Sequence, residues 1–165
     1  MMTHLFATLP DRMSARPEPL SRAHFPRFHP IPLRWADVDV YGHVNNAVHY
    51  QLFDTAVNGP LVDAGLLDPE RGNTVFLVVD SGCSYFRELR FPQTLDAGVR
   101  VDRLGRTAVT YSVGLFESGD ALAAAQGHFV HVHVDRAART PVPITEALRA
   151  HLTALVPAGE GGDRG

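Results

Sequence analysis

The spacing of apolar residues changes twice along this chain. From Phe28 to Ala36 they sit in an extended pattern entered through Pro30 and Pro32, which predicts a first strand whose prolines mark either a sheet edge or an entry segment. From Asn46 the period lengthens. Val48, Leu52 and Ala56 recur every four residues, with Phe53, Val57 and Leu61 on adjoining rows, the pattern of a helix. Ala47 and Tyr50 widen its apolar surface and leave little polar face, so the helix is expected to be mostly enclosed. Gly59-Pro60 is expected to kink or end its first part, and Gly65 to stop it.

Beyond Asn73 the pattern is that of strands as far as residue 135. Val75 to Val79 is an unbroken apolar run within Thr74 to Phe86, which suits a strand covered on both faces. Thr94 to Leu104 follows, then a tight turn at Gly105-Arg106, Thr107 to Glu117, a turn at Ser118-Gly119-Asp120, and Ala121 to Asp135. In the last of these, Val130, Val132 and Val134 point one way and Phe129, His131 and His133 the other. Thr145 to Leu155 predicts a closing helix capped by Thr145. A strand, a buried helix and about four strands in meander make an α+β arrangement in one domain, over residues 28–156. Prolines 10, 17, 19 and 26 break residues 1–27 into an arm, which Arg12, Arg16, Arg22 and Arg27 are expected to keep solvated and loosely held; an arm packed on a neighbouring subunit is the alternative. Residues 157–165 have the composition of a disordered tail.

Composition narrows the function without naming it. At 165 residues, with 45% hydrophobic and 20% charged residues, the chain reads as a globular domain with a core of its own. A formal net charge of −3 offers nothing to a nucleic acid, and no apolar run approaches a membrane span. The start of the chain has no secretory pattern and Cys83 is the single cysteine, so a cytoplasmic protein is expected. Cys83 reads as a half-buried strand residue rather than a nucleophile. His131 and His133 share a face that His128 does not, and no cysteine joins them, so no metal site is expected.

The candidate chemistry gathers where the first strand meets the helix, in RWADVDVYGHVNNAVHYQLFD (34–54). Asp37 and Asp39 precede a break at Gly42; His43, Asn45 and Asn46 follow it at the helix start. Asn45 is the natural cap, and the remaining first-turn amides point outward with the positive end of the helix dipole. A carboxylate beside such amides suits acyl transfer, because the amides can hold an oxygen that gains charge when a carbonyl is attacked. Asp39 is expected to be the reacting group, as nucleophile or as base for water, sharing one small space with the helix start; its simpler role is to close the turn before glycine. His43 is either a proton carrier or positioning group, or a packed ring bonded to its own loop. Asp37 reads as a salt-bridged surface acid, and Asp54 as a partnered acid at a helix interface.

The stretch DVDVYGHVNNAVHY resembles the signature of the hotdog-fold acyl-CoA thioesterases of the 4-hydroxybenzoyl-CoA thioesterase-like group. The resemblance runs over roughly residues 28–150 and includes RELRFP (87–92) and the Val-Asp-Arg that ends the last strand. It implies a five-stranded antiparallel sheet around a long central helix. It also implies a homo-oligomer, a dimer joined edge to edge or a dimer of dimers, with the active sites at the subunit interface. Carried over by position, Asp39 is the catalytic carboxylate, Asn46 supplies the backbone amide that polarises the thioester carbonyl, and Gly42 is the turn glycine, where a side chain would crowd the acyl group. Asn45 and Tyr50 lie toward the substrate, and Arg103 and Arg106 sit where relatives hold the nucleotide end of coenzyme A. Trp35 and Val38 depart from the commoner tyrosine and threonine. The expected reaction is hydrolysis of an acyl-CoA, which needs no cofactor because coenzyme A is part of the substrate. A hydratase on the same fold and a non-catalytic acyl-CoA-binding module are the alternatives.

Overall fold

The computed structural model describes residues 17–158. Its strands are β1 (Arg27–Pro32), β2 (Thr74–Tyr85), β3 (Thr94–Leu104), β4 (Ala108–Phe116) and β5 (Ala125–Asp135), and its α-helices are α1 (Asn46–Asp63) and α2 (Glu146–Thr153). The strands form one antiparallel sheet in the order β1-β3-β4-β5-β2. The sheet curls over α1, the arrangement of the hotdog fold. Leu52, Phe53, Ala56, Val57 and Leu61 of α1 pack into one core with Leu95, Val99, Val101, Tyr111 and Phe129 of the sheet and with Leu148 and Leu152 of α2.

The hydrophobic pattern placed each element, and the structure corrects four details. The first strand stops at Pro32, because the backbone then closes into a short 3-10 turn over Trp35–Asp37. Both prolines lie on β1, which is an edge strand and has only β3 as a neighbour. Helix α1 runs through Gly59-Pro60 without ending. It is also less enclosed than its composition implied: Gln51, Asp54 and Thr55 are exposed on the face turned away from the sheet. The strand expected to be covered on both faces, β2, is the other edge, with Val79 60% exposed beside a register shift. An apolar run shows that a segment wants cover, not that its own chain supplies it.

Part of the proline-rich arm is firmly docked. Phe25 packs with Phe28, Phe116 and Ala123 in a second apolar cluster. Arg22, expected to be solvated, bridges Asp96 at 2.7 Å, donates to the carbonyls of Glu117 and Asp120, and stacks over the rings of Phe28 and Phe116. Residues 1–16 and 159–165, which hold the rest of the arm and most of the tail, lie outside the described residues. Among the described residues, no helix is long and apolar enough to cross a membrane.

Candidate active site at the start of the central helix

The chain enters α1 through a closed turn. The amide of Asp39 donates to the carbonyl of His43 (3.0 Å) and that of Gly42 to the carbonyl of Asp39 (3.1 Å), while Val38 and Val44 pair across the base. Gly42 holds φ +81°, a conformation that other residues adopt only at a cost. A methyl group there would meet only Arg90, at 3.8 Å. Within one chain, then, glycine is required by the backbone and not by crowding.

Asp39 is half-buried and serves this turn with one oxygen: Oδ1 accepts from the Tyr41 amide at 2.8 Å. Oδ2 lies 3.6 Å from Nδ1 of His43, whose ring also approaches the carbonyl of Val44. His43 is therefore bonded to its own loop and stands beside the carboxylate at the same time. Asp37 is buried rather than on the surface. Its carboxylate takes the backbone amide and guanidinium of Arg34, each at 2.7 Å. Burial pushes its pKa up, but the hydrogen bonds and charge of Arg34 outweigh burial and leave it below the usual carboxylate range. Its carbonyl accepts from the Asn45 amide at 2.9 Å. Asp37 thus seats the cap residue and is not open to a substrate.

Asn45 caps α1 as expected, its side chain accepting from the Ala47 amide at 2.9 Å. Asn46 is exposed as a residue, and its backbone amide has no hydrogen-bond partner among the described residues. It is a ready donor for an incoming oxygen.

Asp39 and Asn46 line two adjoining hollows in the single chain. Asp39 lines a hollow of about 720 Å³ with Trp35, Val38, Val40, Tyr41, Gly42, Asn45 and Phe91. Asn46 lines a neighbouring hollow of about 290 Å³ with His43, His49, Tyr85, Phe86, Arg87 and others. His43 stands between the two, in contact with Asp39 and lining the hollow of Asn46. Trp35, Val40 and Tyr41 leave a large apolar surface exposed around Asp39, unusual for groups that face only water.

Other predicted residues fall elsewhere. Tyr50 lines neither hollow and packs edge-on against Phe53. Arg103 and Arg106 are exposed at the far end of β3, roughly 30 Å along the strand from the Asp39 side at its rise per residue. Gly105 between them receives Arg149 of α2. One chain therefore does not bring these arginines to Asp39. Burial pushes the Cys83 thiol up to about 11, which suits an inert strand cysteine. Asp54 accepts from Asn58 at 2.9 Å. His131 and His133 are buried on the core side of β5 and His128 is exposed on the opposite side. The sequence reading passed over His49 and Tyr85, both in the hollow of Asn46; the signal available was the position of His49, four residues after the cap Asn45 and so on its face of the helix.

A sequence model of the thioesterase-like superfamily matches residues 33–152, which take in both edges of the site. The chain belongs to the thioesterase-like superfamily. Among solved structures, the PA5185 protein of Pseudomonas aeruginosa strain PAO1 is 46% identical and superposes with a TM-score of 0.82, over 86% of this chain and 99% of its own. The PA2801 protein of Pseudomonas aeruginosa is 27% identical, with a TM-score of 0.71 over 78% of this chain and 98% of its own. A DHNA-CoA thioesterase from Staphylococcus aureus, at 18% identity, shares the fold, with a TM-score of 0.66 over 77% of this chain and 86% of its own. No curated protein matches the sequence.

Proposed function

We propose that the protein hydrolyses an acyl-CoA to the free acid and coenzyme A. The observation that carries this reading is the unpartnered Asn46 amide at the open start of α1, in a hollow also lined by His43, whose ring stands 3.6 Å from the Asp39 carboxylate. Membership of the thioesterase-like superfamily supports it.

In this reading the thioester carbonyl oxygen accepts the Asn46 N–H, whose donation strengthens as the oxygen gains charge. Oδ2 of Asp39, the oxygen not taken by the Tyr41 amide, attacks the carbonyl carbon. The carbon–sulfur bond breaks, coenzyme A leaves as thiolate, and water then cleaves the mixed anhydride to free acid and regenerated carboxylate. Alternatively, Oδ2 takes a proton from the attacking water, and the same oxyanion collapses with loss of thiolate. His43 sits where it can orient either the carboxylate or the water. No cofactor enters the reaction, and a cytoplasmic protein suits the substrate.

The assembly is part of the proposal. The exposed apolar stretch of β2 at the sheet edge fits a second copy of the chain pairing edge to edge, as a dimer or within a dimer of dimers. A second subunit would also cover Trp35, Val40 and Tyr41 and close the hollow of Asp39. Arg103 and Arg106, too far from Asp39 in their own chain, would serve coenzyme A bound largely by another subunit. The test is a panel of aromatic, short and long acyl-CoAs with a thiol-detecting reagent. Thiol release should fall by about 10²-fold in Asp39→Asn with folding intact. Unchanged release in that variant would remove the mechanism, and tight acyl-CoA binding without release from any thioester would make the protein a binding module.

A further inference from the structure

The residue that aims the Asn46 amide is visible one turn into the helix. The N–H of Asn46 and the C=O of Asn45 belong to the same peptide unit, which is planar, so holding the oxygen fixes the direction of the N–H. Nδ1 of His49 lies 3.0 Å from the Asn45 carbonyl oxygen. A carbonyl oxygen only accepts, so Nδ1 carries the proton and donates it. The same oxygen also accepts the Val48 amide at 2.9 Å, filling its second lone pair. Hydrogen bonds to a carbonyl polarise its peptide and make the attached N–H a better donor.

The ring cannot easily leave this position. His49 is only 3% exposed, and its ring stands edge-on to Tyr85 with centroids 4.9 Å apart. Tyr85, at the end of β2, donates from Oη to the Asn46 carbonyl at 3.1 Å. His49, Tyr85 and Asn46 line one hollow. Two consecutive peptide units at the helix start are thus held from their carbonyl sides by side chains, while the N–H between them stays open.

We propose that His49 is a positioning residue for thioester hydrolysis, holding the Asn45–Asn46 peptide so that its N–H meets the developing oxyanion. This rests on the thioesterase reading of the site. It acts through the Asn45 carbonyl, so its loss lowers turnover more than binding.

Three variants test it, assayed in the full-length protein on the best acyl-CoA of the panel. His49→Phe keeps the ring against Tyr85 and loses the donor. It should lower kcat about tenfold, less than the ~10²–10³ of losing an oxyanion donor outright, with KM nearly unchanged. His49→Asn places an amide N–H near the position of Nδ1 and should recover most of kcat. His49→Gln places its amide farther out, at the position of Nε2, and should not. Wild-type kcat in His49→Phe would overturn the assignment. So would equal losses in His49→Asn and His49→Gln, the result of a purely structural role, and that comparison stands even where the Phe variant folds poorly. The two levels fail separately. Wild-type protein that releases no thiol, or Asp39→Asn that still releases it, defeats the reading of the site. A silent His49→Phe beside an inactive Asp39→Asn defeats only the role of His49.

Discussion

The two ends of α1 are built from the same backbone and finished in opposite ways. At the C-terminal end the chain satisfies itself. Ala64 donates to Pro60, Gly65 to Val62, and Leu66 and Leu67 both to Leu61, with Gly65 at φ +67° turning the chain away. Around that end Leu61 packs in the core with Leu148, Leu152 and Leu155 of the closing segment. At the N-terminal end Asn45 satisfies Ala47, but the Asn46 amide is left open beside two hollows and a carboxylate. A helix terminus left incomplete by its own chain is where a ligand's oxygen can take the missing place. The contrast is between an end whose backbone groups are closed by its own chain and an end that leaves a donor open.

That contrast can be broken from the stable end first. Leu61→Ala removes a side chain that is 1% exposed, and should cost about 2–5 kcal/mol of unfolding free energy. Denaturant melts would measure it. Below the lowered transition, kcat should stay near the wild-type value, because no contact of Leu61 reaches Asp39 or Asn46. A large loss of kcat in the folded variant would mean that the two ends are coupled.

The core beneath the helix supplies the next effect. His131 is 1% exposed, with neither ring nitrogen hydrogen-bonded among the described residues, and burial lowers its pKa to about 4. Its folded value is below the unfolded one, so the unfolded chain binds the proton more readily. Stability is therefore full above the unfolded value of about 6.5 and falls as pH drops from there toward 4. The loss attributable to this one ring is about 3 kcal/mol. His131→Leu should remove most of that slope in denaturant melts across the range. Burial also lowers His49 and His151, which keep a smaller slope in the variant. An unchanged slope would place the acid sensitivity elsewhere.

The smallest effects are the sharpest for the comparison itself. Asn45→Ala and Gly65→Ala each disturb one cap of the same helix and should each cost about 1 kcal/mol or a little more. Their stabilities should be similar, but only Asn45→Ala should lower thiol release, because only that cap lies beside the open amide. Equal rates in the two variants would erase the functional distinction between the ends.

Much of this was legible in the residues. The period of Val48, Leu52 and Ala56 gave the helix, and Gly65 its end; Asn45 announced its cap. Strand positions followed from alternation and turns. What escaped was decided by partners distant in sequence. The run of valines in β2 could not say that the strand lies at a sheet edge with part of it exposed. Arg22 looked solvated because its aromatic and acidic partners come from β1, β3 and β4. At the site, Asp39, Gly42 and Asn46 stood out by spacing, but the separation of their hollows depends on where β2 and the loop after it lie. His49 was hidden because a histidine on a helix face reads as packing until its Nδ1 is seen on a carbonyl.

The most direct measurement of the central claim is a crystal structure of Asp39→Asn with a non-hydrolysable acyl-CoA analogue, solved in its assembled form. The analogue's carbonyl oxygen should lie roughly 2.7–3.1 Å from the Asn46 amide nitrogen, with residue 39 of the same chain facing the carbonyl carbon. An acyl group lodged away from the start of α1, with the Asn46 amide bonded to water, would contradict it.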